Sequence, residues 1–206
     1  NLKLNQYYQS GTESEFSIHR SVATLRLGSG EIKVITSFSI SDQIRIFAQA
    51  SGMILEHGDS AAAKEYLALS LNLASQGLSK EDPANRDLAI TGHNMACSLE
   101  EKTNRSDSEI QLMILAAKTS RKFCEIAGGA PEVASAEYRL SQSYLQAMQI
   151  EKSFEHAQLS LEVCEENKCS ALDFFYGFEA LALAEKERKN NSGYSIAVEK
   201  MKNYFE

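Results

Sequence analysis

The sequence predicts an all-α fold built from antiparallel helix pairs, and three observations predict it. The body of the chain is rich in Ala, Leu, Glu and Lys, and its two prolines, Pro83 and Pro131, both stand where a helix would start. One arrangement of bulky and small residues recurs four times. Signals for helix starts fall between these recurrences and not inside them.

The recurring arrangement is a bulky residue, an apolar or neutral one three positions later, a small one immediately after it, and a further side chain three later. It reads Phe47, Ala50, Ser51, Ile54, then Leu88, Thr91, Gly92, Met95, then Glu137, Leu140, Ser141, Tyr144, and finally Phe178, Leu181, Ala182, Glu185. The small residues Ser51, Gly92, Ser141 and Ala182 are spaced by 41, 49 and 41 residues, a period near 40. Helices packed about 8–10 Å apart need Gly, Ala or Ser where their axes come nearest. A bland amphipathic bundle would show apolar residues at helical spacing too, but the recurrent small positions decide against it. A second pattern follows each segment: LALSLNLA at 67–74 matches QLSLEVC at 158–164, and AAKTSRKFCE at 116–125 matches HAQLSLEVCE at 156–165. Each unit is therefore two helices.

Taken in order, Thr12 with Glu15 has the spacing of a capping box and opens a single helix or imperfect pair before residue 28. Residues 25–39, LRLGSGEIKVITSFS, do not fit the repeat. They are expected to form an irregular loop, with a short hairpin as the alternative because Leu25, Leu27, Ile32 and Val34 alternate around Gly28-Ser29-Gly30. Helix pairs follow at 42–77, turning at Gly58-Asp59, and at 84–126, where Ser106 and Glu109 form a second capping box. The last two lie at 132–166, after the turn Gly128-Gly129, and at 171–206, opened by Ser170 and Asp173. All are expected to form one domain over 1–206, since 206 residues suffice to bury about 70% of the unfolded surface without disulfide or metal.

The unit AEYRLSQSYLQAMQIEKSFEHAQLSLEVCEEN at 136–167 resembles a tetratricopeptide repeat without a gap, with Leu140, Ser141, Tyr144, Ser153, Ala157 and Ser160 at its signature positions. Phe47 through Ser70 resembles it as well, including the turn Gly58-Asp59 and the small Ala63. The pair at 84–126 departs, with about eight additional residues around EEKTNRSD, and Glu137 stands where the family has a bulky aromatic. The stretch from NRDLAITGHNMACSLEEK to DFFYGFEALALAEKERKN, roughly 85–206, is also similar to a family of small, uncharacterised bacterial proteins of this type. The resemblance implies a right-handed superhelical array, an α-solenoid, whose concave face is lined by the first helix of each pair and holds a protein or peptide. It supplies no catalytic residue.

Composition narrows the function. A net charge of −7 and a pI near 5.2 disfavour a surface that follows a phosphate backbone, so nucleic acid is not expected as a partner. No apolar run approaches the roughly 18 residues of a membrane span, and no membrane association is expected. Cys97, Cys124, Cys164 and Cys169 are too sparse for a disulfide framework and read as reduced thiols in cytoplasm. The opening NLKLNQYYQSG has neither a basic start with an apolar stretch nor a small-residue cleavage site, and the missing initial methionine reads as a trimmed chain or a fragment.

Chemistry was sought residue by residue. His93 and Cys97, at i and i+4 on one helix face, could reach one ion, but structural zinc wants four ligands, and the other thiols lie in other helices. Cys124 and Cys164 recur at equivalent positions and read as buried fillers. Of the four histidines, His19, His57, His93 and His156, none sits in a recognisable nucleophile–base pattern, and neither a phosphate-binding glycine loop nor a nucleophile elbow is present. Neither an enzyme nor a cofactor is expected.

Binding is the leading function. If the first-helix frame is right, the groove receives Arg45, Gln49, Arg86, His93, Tyr138, Gln142, Gln146, Tyr176 and Glu179. Arg45 and Arg86 share an early position in successive first helices, so an acidic segment is expected at that end of the groove. The Lys and Asn of the family's carboxylate clamp are replaced in the corresponding frame by Ala48, Gly52, Ala89 and His93, and that clamp is not expected. The alternative is a homodimer through the run Phe174-Phe175-Tyr176-Gly177-Phe178 and the apolar face of the last helix, because an array needs a polar cap and none is evident at YFE. A strong zinc chelator is expected to leave helix content and denaturation midpoint unchanged. Loss of circular-dichroism signal on chelation would reinstate a metal site.

Overall fold

A computed structural model describes residues 15–28 and 32–204. Among them are nine α-helices and one 3-10 helix, with no strand: α1 (Glu15–Gly28), the 3-10 helix (Ile32–Ser37), α2 (Ile40–Glu56), α3 (Ser60–Ala74), α4 (Pro83–Glu100), α5 (Asp107–Ala127), α6 (Ala130–Gln146), α7 (Ile150–Asn167), α8 (Ala171–Glu187) and α9 (Asn191–Asn203). Neighbouring helices pack in pairs, α2 with α3, α4 with α5, α6 with α7 and α8 with α9. Successive first helices also touch, α2 with α4, α4 with α6 and α6 with α8.

Residues 25–39 correct the expectation of an irregular loop. Leu25–Gly28 close α1, and Ile32–Ser37 form the 3-10 helix, so much of the segment is helical and no hairpin forms among its described residues. Leu27 and Ile35 of this segment are buried against Ile46 and Phe47 of α2. Thr12 of the first capping signal lies outside the described residues.

The other caps are explicit. Ser106 accepts from the Glu109 N–H while Glu109 accepts from the Ser106 N–H, and Ser170 and Asp173 repeat the exchange at α8. Pro83 and Pro131 sit in the first turns of α4 and α6, where a missing N–H costs nothing. Asp59, Asp82 and Asn190 cap α3, α4 and α9 with side-chain oxygens.

Three of the four turns inside pairs share one backbone. Gly58, Met148 and Lys189 each adopt a positive φ, of 90°, 57° and 61°. The following residue then donates five residues back, Asp59 to Ile54, Gln149 to Tyr144 and Asn190 to Glu185, at 3.2, 2.9 and 3.0 Å. The α4–α5 connection is the exception. There the additional residues bring in Arg105, whose Nη1 donates to the carbonyls of Leu99 and Glu100 at 2.9 Å each and so satisfies the end of α4 with a side chain.

Small residues set the distance within pairs. A Cβ on Gly92 would stand 2.5 Å from the carbonyl oxygen of Ala116 and 2.7 Å from the Ser120 nitrogen, so only glycine allows α4 this close to α5. Ser141 of α6 is fully buried, with its Oγ 3.1 Å from Ser153 Oγ of α7. Ser70 and Ser160 occupy equivalent sites in α3 and α7 and donate to the backbone carbonyls of Ile44 and Ala134 at 3.1 and 2.9 Å, binding each second helix to the opening turn of its first. Large side chains fill the gaps: Leu67, Met95, Leu112, Met113, Leu140 and Tyr144 make one buried cluster across α3 to α6.

Glu137, at the site where the resemblance leads one to look for an aromatic, is buried and joins three helices. Arg121 Nε of α5 donates to its Oε1, and His156 Nδ1 of α7 lies 2.6 Å from its Oε2. Burial pushes this carboxyl up, but the hydrogen bonds from His156 and Arg121 outweigh it and hold it below the ordinary carboxylate range.

Two outcomes follow from this packing. Replacing Ser141 with Leu should destabilise the chain by about 1–3 kcal/mol through overpacking, read as a lower denaturation midpoint, and an unchanged midpoint would contradict the close contact. The Glu109 carboxyl is lowered from 4.5 to about 2, first by Lys102 Nζ at 2.5 Å and then by the Ser106 N–H, against a smaller opposing effect of burial. A lowered acid contributes stability that is present above its unfolded value and lost as pH falls through the folded one. The stability advantage of wild type over Glu109→Gln should therefore shrink as pH falls from about 4.5 to about 2, and a pH-independent difference would contradict the assignment.

Candidate functional site

The side-by-side first helices α2, α4, α6 and α8 make one continuous face, and all nine candidate groove residues lie on these four helices. That face is cross-linked. Arg45 Nε donates to Asp87 Oδ2 at 2.6 Å between α2 and α4, Arg139 Nη1 of α6 donates to Glu100 of α4, and Tyr138 OH of α6 donates to Glu179 Oε2 of α8 at 2.8 Å. Ser143 adds a bond to the other oxygen of Glu100 at 2.7 Å. At the N-terminal edge, Arg20 of α1 donates to Asp42 Oδ1 at 2.9 Å.

These bonds decide what several candidates can do. Arg45 is held by Asp87 and lies 3.9 Å from Asp42, with its side chain only 11% exposed, so its charge is compensated within the fold. Gln49 accepts from Thr24 Oγ1 of α1 at 3.5 Å, and Gln146 accepts from Arg105 Nη2 at 2.7 Å. Tyr138, Tyr176 and Glu179 come together: the two rings have centroids 5.4 Å apart, and burial, followed by the bond to Glu179, raises the Tyr138 phenol. Gln142 Nε2 and Arg139 Nε are buried with no hydrogen-bond partner in the structure.

Arg86 and His93 meet in a cleft of about 440 Å³ between α4, the end of α5 and the start of α6. Its walls include Ala89, Ile90, Ser135 and Ala136. Arg86 is exposed and makes no ion pair among the described residues, which leaves it as the groove candidate whose cation is available. Burial first, and the Arg139 charge second, lower His93, which favours its neutral form near pH 7. Cys124 also lines the cleft, but burial raises its thiol, opposite to the lowered value a nucleophilic thiol needs.

Sequence reasoning missed Asp87, Glu100, Arg139 and Ser143, which tie the face together. A signal for them existed, since Arg45 and Asp87 are separated by 42 residues, Glu100 and Arg139 by 39, and Tyr138 and Glu179 by 41. Complementary polar residues one repeat apart are thus direct partners.

Phe174 and Phe178 both stack on Tyr204, at 4.8 and 5.8 Å between centroids, so much of the aromatic run expected at a dimer interface is used within the chain. Tyr194 and Ile196 of α9 are exposed. Among the described residues no group of three or more His, Cys, Asp or Glu could hold a metal ion, and no helix is long and apolar enough to cross a membrane. No family model, no curated protein and no solved structure matches the chain.

Proposed function

We propose that the chain is a protein- or peptide-binding scaffold of the tetratricopeptide-repeat kind, a right-handed superhelical array whose concave face is the row of first helices. The observation that carries this reading is the continuity of that row: α2, α4, α6 and α8 touch in succession, α4 and α6 help to line the Arg86–His93 cleft, and Ile90 of α4 and Tyr176 of α8 are exposed. Exposed apolar and aromatic groups beside satisfied polar ones are what a partner's anchoring side chains require. Arg86, and not Arg45, is the residue through which an acidic segment would be held, because Arg45 already faces Asp87 and Asp42. A second reading, a homodimer, rests on Tyr194 and Ile196 of α9, which are exposed among the described residues.

The test is selection of peptides from a displayed random library, followed by fluorescence anisotropy with substituted protein. Ile90→Glu and Arg86→Glu should each weaken a selected peptide about tenfold or more, the loss of one anchoring contact. Leu69→Ala, on α3 away from the row, should leave it unchanged, and salt should matter less for Arg86→Glu than for wild type. Equal binding by all these proteins, or no enriched peptide, would remove the scaffold reading. Sedimentation at micromolar concentration separates the homodimer, which a stable dimer lost in Ile196→Glu would favour.

A further inference from the structure

The end of α7 carries two cysteines that the row of first helices does not use. Lys168 follows Asn167 in the left-handed conformation, at φ 52° and ψ 49°, and its N–H turns back onto the carbonyl of Cys164. The N–H of Cys169 donates to that same carbonyl at 3.1 Å. A helix closed in this way sets a side chain of its last turn against that of the residue just past the left-handed one. Here those two residues are Cys164 and Cys169.

The two thiols differ in access. Cys164 is fully buried, and Cys169 is partly exposed. They are neighbours across the cap: burial first, and then the nearby Cys169 sulfur and the charges of Asp173 and Glu165, push the Cys164 thiol up. A disulfide needs Cα atoms ~4.4–6.8 Å apart, and the bond from the Cys169 N–H to the Cys164 carbonyl holds the two backbones together across the cap. Cys97 and Cys124 lie on other helices, α4 and α5.

We propose that Cys164 and Cys169 form a dithiol that small-molecule disulfides such as oxidised glutathione convert reversibly into an intramolecular disulfide, a modification site at the corner between α7 and α8. In the first step the Cys169 thiol, which has the easier access, gives up its proton to solvent, and the thiolate attacks one sulfur of the disulfide. The S–S bond of the reagent breaks, and one glutathione thiolate leaves with the electron pair and takes up a proton. In the second step Cys164, a slow nucleophile because its thiol is raised but held beside Cys169 by the cap, loses its proton to solvent and attacks Cys169 Sγ, and the second glutathione leaves as a thiolate that takes up a proton. Two protein thiols are oxidised by two electrons, and one glutathione disulfide is reduced to two thiols. Excess reduced thiol reverses both steps.

The consequence falls on the next helix. Cys169 immediately precedes Ser170, whose hydroxyl and backbone form the capping box of α8, and α8 carries Tyr176 and Glu179. The bridge would fix the cap of α7 to the start of α8 and thereby pin the helix that presents this part of the face.

The experiment uses the whole native chain incubated with oxidised glutathione, with remaining thiols then alkylated and the protein digested by trypsin. Cleavage after Lys168 falls between the two cysteines, so a bridged chain yields peptide 153–168 joined to peptide 169–186, two hydrogens lighter than their sum. The linked species should become the main form of these peptides and vanish with dithiothreitol, with the circular-dichroism spectrum unchanged throughout. Cys164→Ala should stop at a stable glutathione adduct on Cys169, and Cys169→Ala should leave Cys164 unmodified in the folded protein. A wild-type chain that ends as a Cys169 adduct with Cys164 free, that links either residue to Cys97 or Cys124, or that does not react at all would overturn the proposal. Should a variant fail to fold, the wild-type peptides alone give the decision.

Discussion

Between α4 and α5 the backbones approach so closely that a methyl on Gly92 would collide with the carbonyl of Ala116, and between α6 and α7 the same closeness is reached by Ser141 against Ser153. Burial of a backbone carbonyl at such a crossing would be costly without a donor. Ser70 and Ser160 supply it at equivalent places, so residues small enough to permit the approach also satisfy the polar groups it desolvates. The turns at Gly58, Met148 and Lys189, which share a positive φ, then bring the chain back in three of the four pairs. The first helices are then left side by side.

What holds those first helices in register is polar. Arg45 with Asp87, Arg139 with Glu100 and Tyr138 with Glu179 each join one pair to the next, and most of these groups are largely withdrawn from water. Such pairs add little net stability, because desolvation offsets most of their attraction, but a shifted register would strand a charge away from its partner. Glu137 extends the principle inward. By engaging Arg121 and His156 it does with directional bonds what an aromatic side chain would do by filling space.

The all-helical class and the helix pairs were legible because they depend on residues near one another in sequence: capping partners three apart, prolines at helix starts, and small residues at one place in each first helix. Two features were hard to read. The helical character of residues 25–39 was obscured because Leu25, Leu27, Ile32 and Val34 alternate like a strand, while Leu27 and Ile35 are buried through contact with α2, which no local pattern announces. The left-handed turns at Met148 and Lys189 lack the glycine that marks Gly58. For the candidate residues, the helices that carry them were legible and the charges that meet them were not. Arg45 reads as a free cation until Asp87, 42 residues on, is found beside it.

Among the described residues the helices make their substantial contacts with elements next or next but one along the chain, and α9 makes its substantial contacts with α8. Contacts of short sequence separation form with little loop-closure entropy, which places a chain of this kind among fast folders for its size. The same locality makes stability uneven: a helix supported from one side opens more readily than one clasped from two. Amide protons of α9, supported chiefly by α8, should then exchange before those of α4 to α6, which are clasped from two sides. A partner bridging several first helices would draw on that gradient, tightening the ends it touches without having to reorganise the centre.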